Sequence, residues 1–257
     1  MRRRSTWLWA AALVAYAFLY LPLVIVVVYS FNDSRLNAEW VGFTLDWYRK
    51  LAADDDMLAA AGNSLLIALT ASLVSTVLGT MAGVALHRYK LRLLPILVLA
   101  PIAIPEILMG VSLLIFFVLL NVTLGLVSVA LAHIAFCIGF VAIVVRARLA
   151  GMDESLTEAA RDCGATPARA FRHVTLPLIM PGVVAAFMLS LSLSIDDYII
   201  TSFVAGDVST LPRKIFDSSK VQILPQVHVL ATMIMIVAIL ILVTGTVAGN
   251  RRRAKAR

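Results

Sequence analysis

The sequence predicts an all-α integral membrane protein with six transmembrane helices and both termini on the cytoplasmic side. Three observations carry that prediction. Of 257 residues, 61% are hydrophobic and 14% charged, with a mean hydropathy of +0.94; a soluble domain is about 45–50% apolar and about 25% charged. The apolar residues fall into six blocks, each long enough to cross a hydrocarbon core, which takes about 20 residues of helix. Lys and Arg are also distributed unevenly between the blocks. The net charge of +7 sits at the ends and in short turns, so it forms no nucleic-acid surface, and membrane lipid is the expected surrounding. One transmembrane domain over 1–257 is expected, with an N-terminal helix at 7–30, a helical core at 62–249 and a cytoplasmic loop at 146–177.

The six blocks are Trp7–Ser30, Asn63–Leu86, Leu93–Leu120, Leu124–Val145, Leu178–Val204 and Val227–Gly249. The first follows Arg2, Arg3 and Arg4. Its apolar run exceeds the about 7–15 residues of a signal-peptide core, and no small-residue cleavage site follows, so it is expected to remain as a span. With the N-terminus inside, sixteen of the 22 basic residues fall in cytoplasmic segments, among them Arg88, Lys90, Arg92, Arg146, Arg148, Arg161 and the tail Arg251–Arg257. The outer segments hold six: Arg35, Arg49, Lys50, Arg213, Lys214 and Lys220. This is the positive-inside asymmetry. The first outer loop carries six acids and the aromatics Trp40, Phe43, Trp47 and Tyr48, the makings of a short amphipathic helix. Cys137 lies in an apolar block and Cys163 in a polar loop, so neither a disulfide nor a metal site is expected.

The longest cytoplasmic loop, Arg146–Pro177, reads as helix–turn–helix. Ser155 and Glu158 have capping-box spacing, and Gly164 suits the left-handed position beyond a helix end. Thr166-Pro167 offers a cap and a first-turn proline for a second helix through Val174, with Pro177 and Pro181 marking re-entry into the fifth span. Ala159, Ala160 and Gly164 permit close approach, and Glu158 and Asp162, one turn apart, offer charge to a basic partner.

Within this loop, Glu158-Ala159-Ala160, then Gly164, then Val174-Thr175-Leu176-Pro177 resembles the EAA loop of the permeases of binding-protein-dependent ABC importers. The one departure is Val174 where Ile is usual. The resemblance implies that Glu158, Ala159, Ala160, Asp162, Gly164, Leu176 and Pro177 couple the chain to a cytoplasmic ATPase dimer. It also implies a second homologous permease subunit and a periplasmic substrate-binding protein as partners, in a bacterial inner membrane. No phosphate-binding Gly-x-x-x-x-Gly-Lys-Ser/Thr run is present, so no cofactor is expected in this chain and ATP is expected on the partner. A nucleophile–base constellation is likewise missing, and an enzyme is not expected.

Charges inside spans are costly and are candidates for function. Glu106 follows Pro101-Ile102-Ala103-Ile104-Pro105 near the middle of the third span, and Asp196, Asp197 and Tyr198 lie in the outer half of the fifth. The functional reading is a carboxylate-lined path for a cation, with Tyr198 and Phe203 adding cation–π contacts. The structural reading is that the acids cap helix breaks or pair with a partner subunit. His133 reads as an interhelical hydrogen-bonding residue, and Gly79 and Gly83 as a close-packing stripe.

Segments outside the loop extend the resemblance along nearly the whole chain: Ser30-Phe31-Asn32-Asp33-Ser34, Leu131-Ala132-His133-Ile134-Ala135-Phe136-Cys137, Leu193-Ser194-Ile195-Asp196-Asp197-Tyr198 and Thr210-Leu211-Pro212. Together they resemble the second permease subunit of the spermidine/putrescine importers, which implies a polyamine substrate. The other readings are an ABC permease for a different small cation and an ion-coupled secondary transporter that uses Glu106. A path for anions would favour Arg, Lys or helix N-termini over these acids.

Overall fold

The computed structural model describes residues 6–34, 39–89, 92–220, 225–236 and 239. These residues are helical apart from connecting segments and one isolated antiparallel bridge, Asn32↔Phe43. The chain divides into two compact units, Ala59–Lys214 and a second made of Met1–Leu58 with Ile215–Arg257.

In the second unit, α1 (Thr6–Tyr29) is the first span and α2 (Asp46–Ala52) is the short helix expected in the first outer loop. Asn32 organises the turn between them. Its side-chain amide donates to Glu39 O at 2.7 Å and accepts from Val41 N at 2.9 Å, while its carbonyl accepts from Trp47 Nε1 at 2.9 Å. Phe31 stacks on Phe43 and Tyr48, so the loop's aromatics pack on one another.

The helix α3 (Asp55–Arg88) is longer than the block Asn63–Leu86 at both ends. Asp54 accepts from Met57 N at 2.9 Å, with Asp55 and Asp56 in the first turn and His87 and Arg88 in the last. Acids and bases that count as loop residues by hydropathy are therefore the helix's own dipole complement.

Two predicted spans are broken. Leu93–Leu120 runs as α4 (Leu93–Ala103) and α5 (Glu106–Leu119), bent by 108°. The pre-proline residue Ile104 is extended at φ −85 and ψ 131, because the Pro105 ring disfavours the helical region before it, and Pro105 offers no amide. After α6 (Leu126–Ala150), the fifth block likewise divides into α9 (Leu176–Ile195) and α10 (Ile199–Val204). The loop between α6 and α9 holds α7 (Ser155–Asp162) and α8 (Pro167–Ala170). A π turn, Phe171–Thr175, joins α8 to α9, so the loop's second helix runs straight into the span as one helical rod, Pro167–Ile195. Pro177, which was expected to mark a re-entry, sits inside this rod just after the π turn, where the regular α-helical ladder is already interrupted. Beyond α10 come α11 (Leu211–Ser219) and α12 (Pro225–Ile236).

Among the described residues, four helices are long and apolar enough to cross a membrane, or five if the bent α4–α5 pair is one span. The sixth predicted span enters as α12; beyond Ile236 only Ile239 of it is among the described residues, and Lys90 and the basic tail lie outside them.

Helix α6 is the hub of the first unit. A β-carbon at Gly79 would lie 2.5 Å from Val141 Cβ, and one at Gly83 would lie 2.8 Å from Ala142 O. The expected small-residue stripe of α3 therefore packs within this chain, against α6. On its other sides α6 takes α4 through Gly139, against Val98 and Ile102, and α9 around Val141, Val145 and Ile179.

Candidate functional site

Two places gather the candidate residues: the α7–α9 loop and the pair of helix breaks.

In the loop, α7 begins at Ser155, and the expected Ser155–Glu158 capping box does not form. Asp153, one residue before the N-cap Glu154, accepts from Ser155 N at 3.0 Å instead. Hydrogen bonds from the Ser155 hydroxyl and amide hold the Asp153 carboxyl below the usual carboxylate range. An Asx turn thus does locally what a box would have done. The other two signals hold. Gly164 has φ +86, which an L side chain rarely adopts. Thr166 caps α8 by accepting from Arg169 N, with Pro167 in the first turn.

Glu158, Ala159 and Asp162 are exposed along α7, with Ala160 half-buried. Glu158 and Arg161 line a cleft of about 380 Å³ together with His87, Arg88, Glu154 and Thr157. They also line an adjoining shallow depression that includes Asp162. Leu176 and Pro177 are not part of this surface. Leu176 packs against the α6–α9 core, and Pro177 is exposed at the root of α9.

Three ties that sequence reasoning missed hold the loop to the spans. His87 Nε2, in the last turn of α3, pairs with Glu154 Oε1 at 3.0 Å. Thr157 and Thr175 hydroxyls meet at 3.4 Å, joining α7 to the π turn. Arg148 donates from Nε and Nη2 to Leu178 O at 3.2 and 3.1 Å, beside the close contact of Gly182. Arg148, which sequence alone assigns to topology, here has a partner 30 residues away in the chain, which no spacing rule announces.

The helices that follow the two breaks pack together. Gly110 of α5 lies against Phe203 of α10, and Gly206 beyond α10 lies against Leu124 beyond α5. Helices α5 and α10 therefore pack on each other, with Met109, Phe117, Ile200 and Val204 in one core cluster. Glu106 lies one turn before Gly110 in α5, and Ile199 one turn before Phe203 in α10. Glu106 is thus not mid-span in a continuous helix but in the exposed first turn of α5. An acid in a helix's first turn is favoured by the dipole. Non-helical backbone at such a depth is tolerated only inside protein or beside a wet cavity.

The three residues of the second break are treated differently. Asp196 is exposed and Tyr198 half-buried, whereas Asp197 is buried. Asp197 Oδ1 accepts from Thr201 N at 3.0 Å and stands 3.5 Å from His133 Nε2. Phe203 packs in the α5–α10 core. Among the described residues no cluster of three or more His, Cys, Asp or Glu is placed to hold a metal ion.

Comparison with known proteins places this arrangement. Residues 75–254 match the family described as binding-protein-dependent transport system inner membrane component. The putrescine transport system permease protein PotI of Escherichia coli (strain K12) is 40% identical over 90% of this chain and 86% of its own. The spermidine/putrescine transport system permease protein PotC of the same strain is 40% identical over 89% of this chain and 88% of its own. PotC of Haemophilus influenzae is 37% identical over 90% and 91%. Among solved structures, a bacterial ABC transporter for import of the acidic polysaccharide alginate aligns with a TM-score of 0.66 at 14% identity, covering 97% of this chain and 98% of that one. The inward-facing MetNI methionine ABC transporter aligns with a TM-score of 0.63 at 21% identity, covering 76% and 94%. These two share the fold.

Proposed function

The chain belongs to the binding-protein-dependent transport system inner membrane components, and from that premise we propose that it is the permease subunit of an ATP-driven polyamine importer. In this reading it pairs with a second homologous permease, a cytoplasmic ATPase dimer and a periplasmic polyamine-binding protein. The observation that carries it is α7, a short exposed helix with two acids on its surface, joined at Thr157 to the root of a helical rod 29 residues long. At a rise of 1.5 Å per residue that rod spans roughly 43 Å. It leads from the docking surface directly to the break at Asp196.

The mechanism follows from those parts. Closure of the ATPase dimer displaces α7. The π turn and α9 carry the displacement to the break before α10, which packs on α5. Rigid helices rocking about that break expose it alternately to each side. At the two breaks Glu106 and Asp196 present carboxylates, and Tyr198 a ring face. Putrescine and spermidine are flexible polycations, and an anionic path lowers the barrier to their passage without binding them tightly. The relatives transport putrescine and spermidine by their names, which supports a polyamine over other small cations.

The test is uptake of labelled putrescine and spermidine into liposomes that hold this chain with its permease and ATPase partners. Binding protein is supplied outside, and ATP is present or absent inside. Accumulation that requires both is expected. ATP turnover stimulated by binding protein without polyamine accumulation would keep the importer and discard the substrate. Uptake driven by an ion gradient, with ATP irrelevant, would replace the reading with a secondary transporter.

A further inference from the structure

Adjacent in sequence, Asp196 and Asp197 are not equivalent in the fold. The Asp197 side chain and that of His133 are each 3% exposed. His133 Nδ1 meets Ser194 Oγ at 2.7 Å, and its Nε2 meets Thr201 Oγ1 at 2.9 Å and Asp197 Oδ1 at 3.5 Å. Ser194 is in the last turn of α9, Thr201 in the first turn of α10, and Asp197 between them. One imidazole from α6 therefore bonds a hydroxyl on each side of the break and faces the carboxylate in it.

That clamp has a physical purpose. Helix α10 has six residues, too few to hold helical form by propagation alone, so its position depends on tertiary ties. Its far end is also held by α6: Ser128 Oγ donates to Val204 O at 2.7 Å. The near end is held by His133, and Asp197 supplies the acceptor for the Thr201 amide. A carboxylate this deep is costly unless bonded and paired; Thr201 N–H and the imidazole are the groups that meet it.

We propose that His133 and Asp197 form a latch that fixes the start of α10, which makes Asp197 a positioning residue and leaves Asp196 as the acid of the pair that meets the substrate. The transport half of this statement rests on the importer reading; the latch half rests on the geometry alone.

The test uses the assembled importer complex. Uptake kinetics for putrescine and spermidine and the melting temperature of the purified complex are measured for wild type, D196N, D197N, D197A, H133A and the double variant H133A/D197A. D196N is expected to raise KM for spermidine by about two- to fivefold, as loss of one exposed charge contact does, with melting unchanged. D197A and H133A are expected to lower the maximal rate and the melting temperature by several degrees with KM within about twofold of wild type. The double variant should melt no lower than the worse single one, since removing both partners removes the stranded buried charge. D197N, which keeps an acceptor for Thr201 N–H and buries no charge, should keep KM within about twofold for both substrates. If D197A does not assemble, D197N and the H133A melt decide the matter. A D197N variant that melts like wild type and raises KM as D196N does would make Asp197 a ligand and overturn the latch, as would additive melting losses in the double variant. If wild type accumulates no polyamine, the importer reading fails while the melting cycle still judges the latch.

Discussion

Glu158 and Glu106 are both exposed carboxylates in the first turn of a helix, yet they serve different surfaces. Glu158 faces a cleft beside Arg161, and under the proposed function it offers negative charge to a docking partner. Reversing it with E158K sets like charge against a basic groove, which costs several kcal/mol. Uptake should therefore fall at least about tenfold while the chain still inserts and α7 still folds. Uptake assayed against membrane-extracted protein checks this, and normal uptake would remove the docking role. Glu106 has no hydrogen-bonding or ion-pair partner among the described residues, so its charge is available. E106Q should raise KM for spermidine by about two- to fivefold with little change in melting; identical kinetics for both polyamines would return Glu106 to a purely dipolar role. At this scale the sequence was legible where chemistry is local. Gly164 and Thr166-Pro167 behave as their residue types dictate, and Glu158 and Asp162 are exposed on one helix. It was illegible where a partner is distant in the chain. His133 and Asp197 stand 64 positions apart in numbering, and His87 and Glu154 are 67 apart, so no helical or capping template pairs them. The Ser155–Glu158 spacing misled for the opposite reason. Asp153 is a nearer acceptor, two residues from the Ser155 amide, and it holds that amide instead.

Elements were legible as apolar blocks, but their continuity was not. Hydropathy sums side chains and ignores amides. It therefore read Leu93–Leu120 and Leu178–Val204 as unbroken spans, although Pro105 and the Asp197 side chain each divert the backbone ladder. It erred the other way at the root of α9, where two prolines suggested an interruption and the π turn carries the helix through. The glycines of α3 test how the elements pack. Gly79 has no room for a side chain against Val141, whereas Gly62 on the same helix is exposed with nothing within 4 Å of an added β-carbon. G79L should destabilise the protein by about 1–3 kcal/mol or more through overpacking. G62A should stabilise it by about 0.5–1 kcal/mol by restricting the unfolded chain. Thermal melting of the purified complex separates the two; a neutral G79L would mean that α3 and α6 can part without loss.

For the whole first unit, the question is how motion at α7 would reach the break before α10, and two of the routes out of the loop can be weighed against each other. One is the Glu154–His87 pair to α3, with side chains 68% and 20% exposed; an exposed pair of this kind is worth under about 1 kcal/mol. The other is the backbone from Pro167 through the π turn into α9, a continuous covalent path that is helical from Pro167 to Ile195. The magnitudes favour the second, because a contact that yields at under 1 kcal/mol cannot drive helices against lipid and a neighbouring subunit. Softening the rod should therefore uncouple the importer, and cutting the pair should not. In R172G/V174G each glycine costs about 1 kcal/mol of helical preference within the π turn, and neither residue lies on α7. The variant should keep its ATPase partner through purification and keep hydrolysing ATP, while polyamine delivered per ATP falls severalfold. E154Q should leave that ratio within about twofold of wild type. The measurement is the ratio of uptake to phosphate release in the same liposomes. If E154Q collapses the ratio and the glycine pair leaves it intact, force travels through α3, and the rod is a passive support.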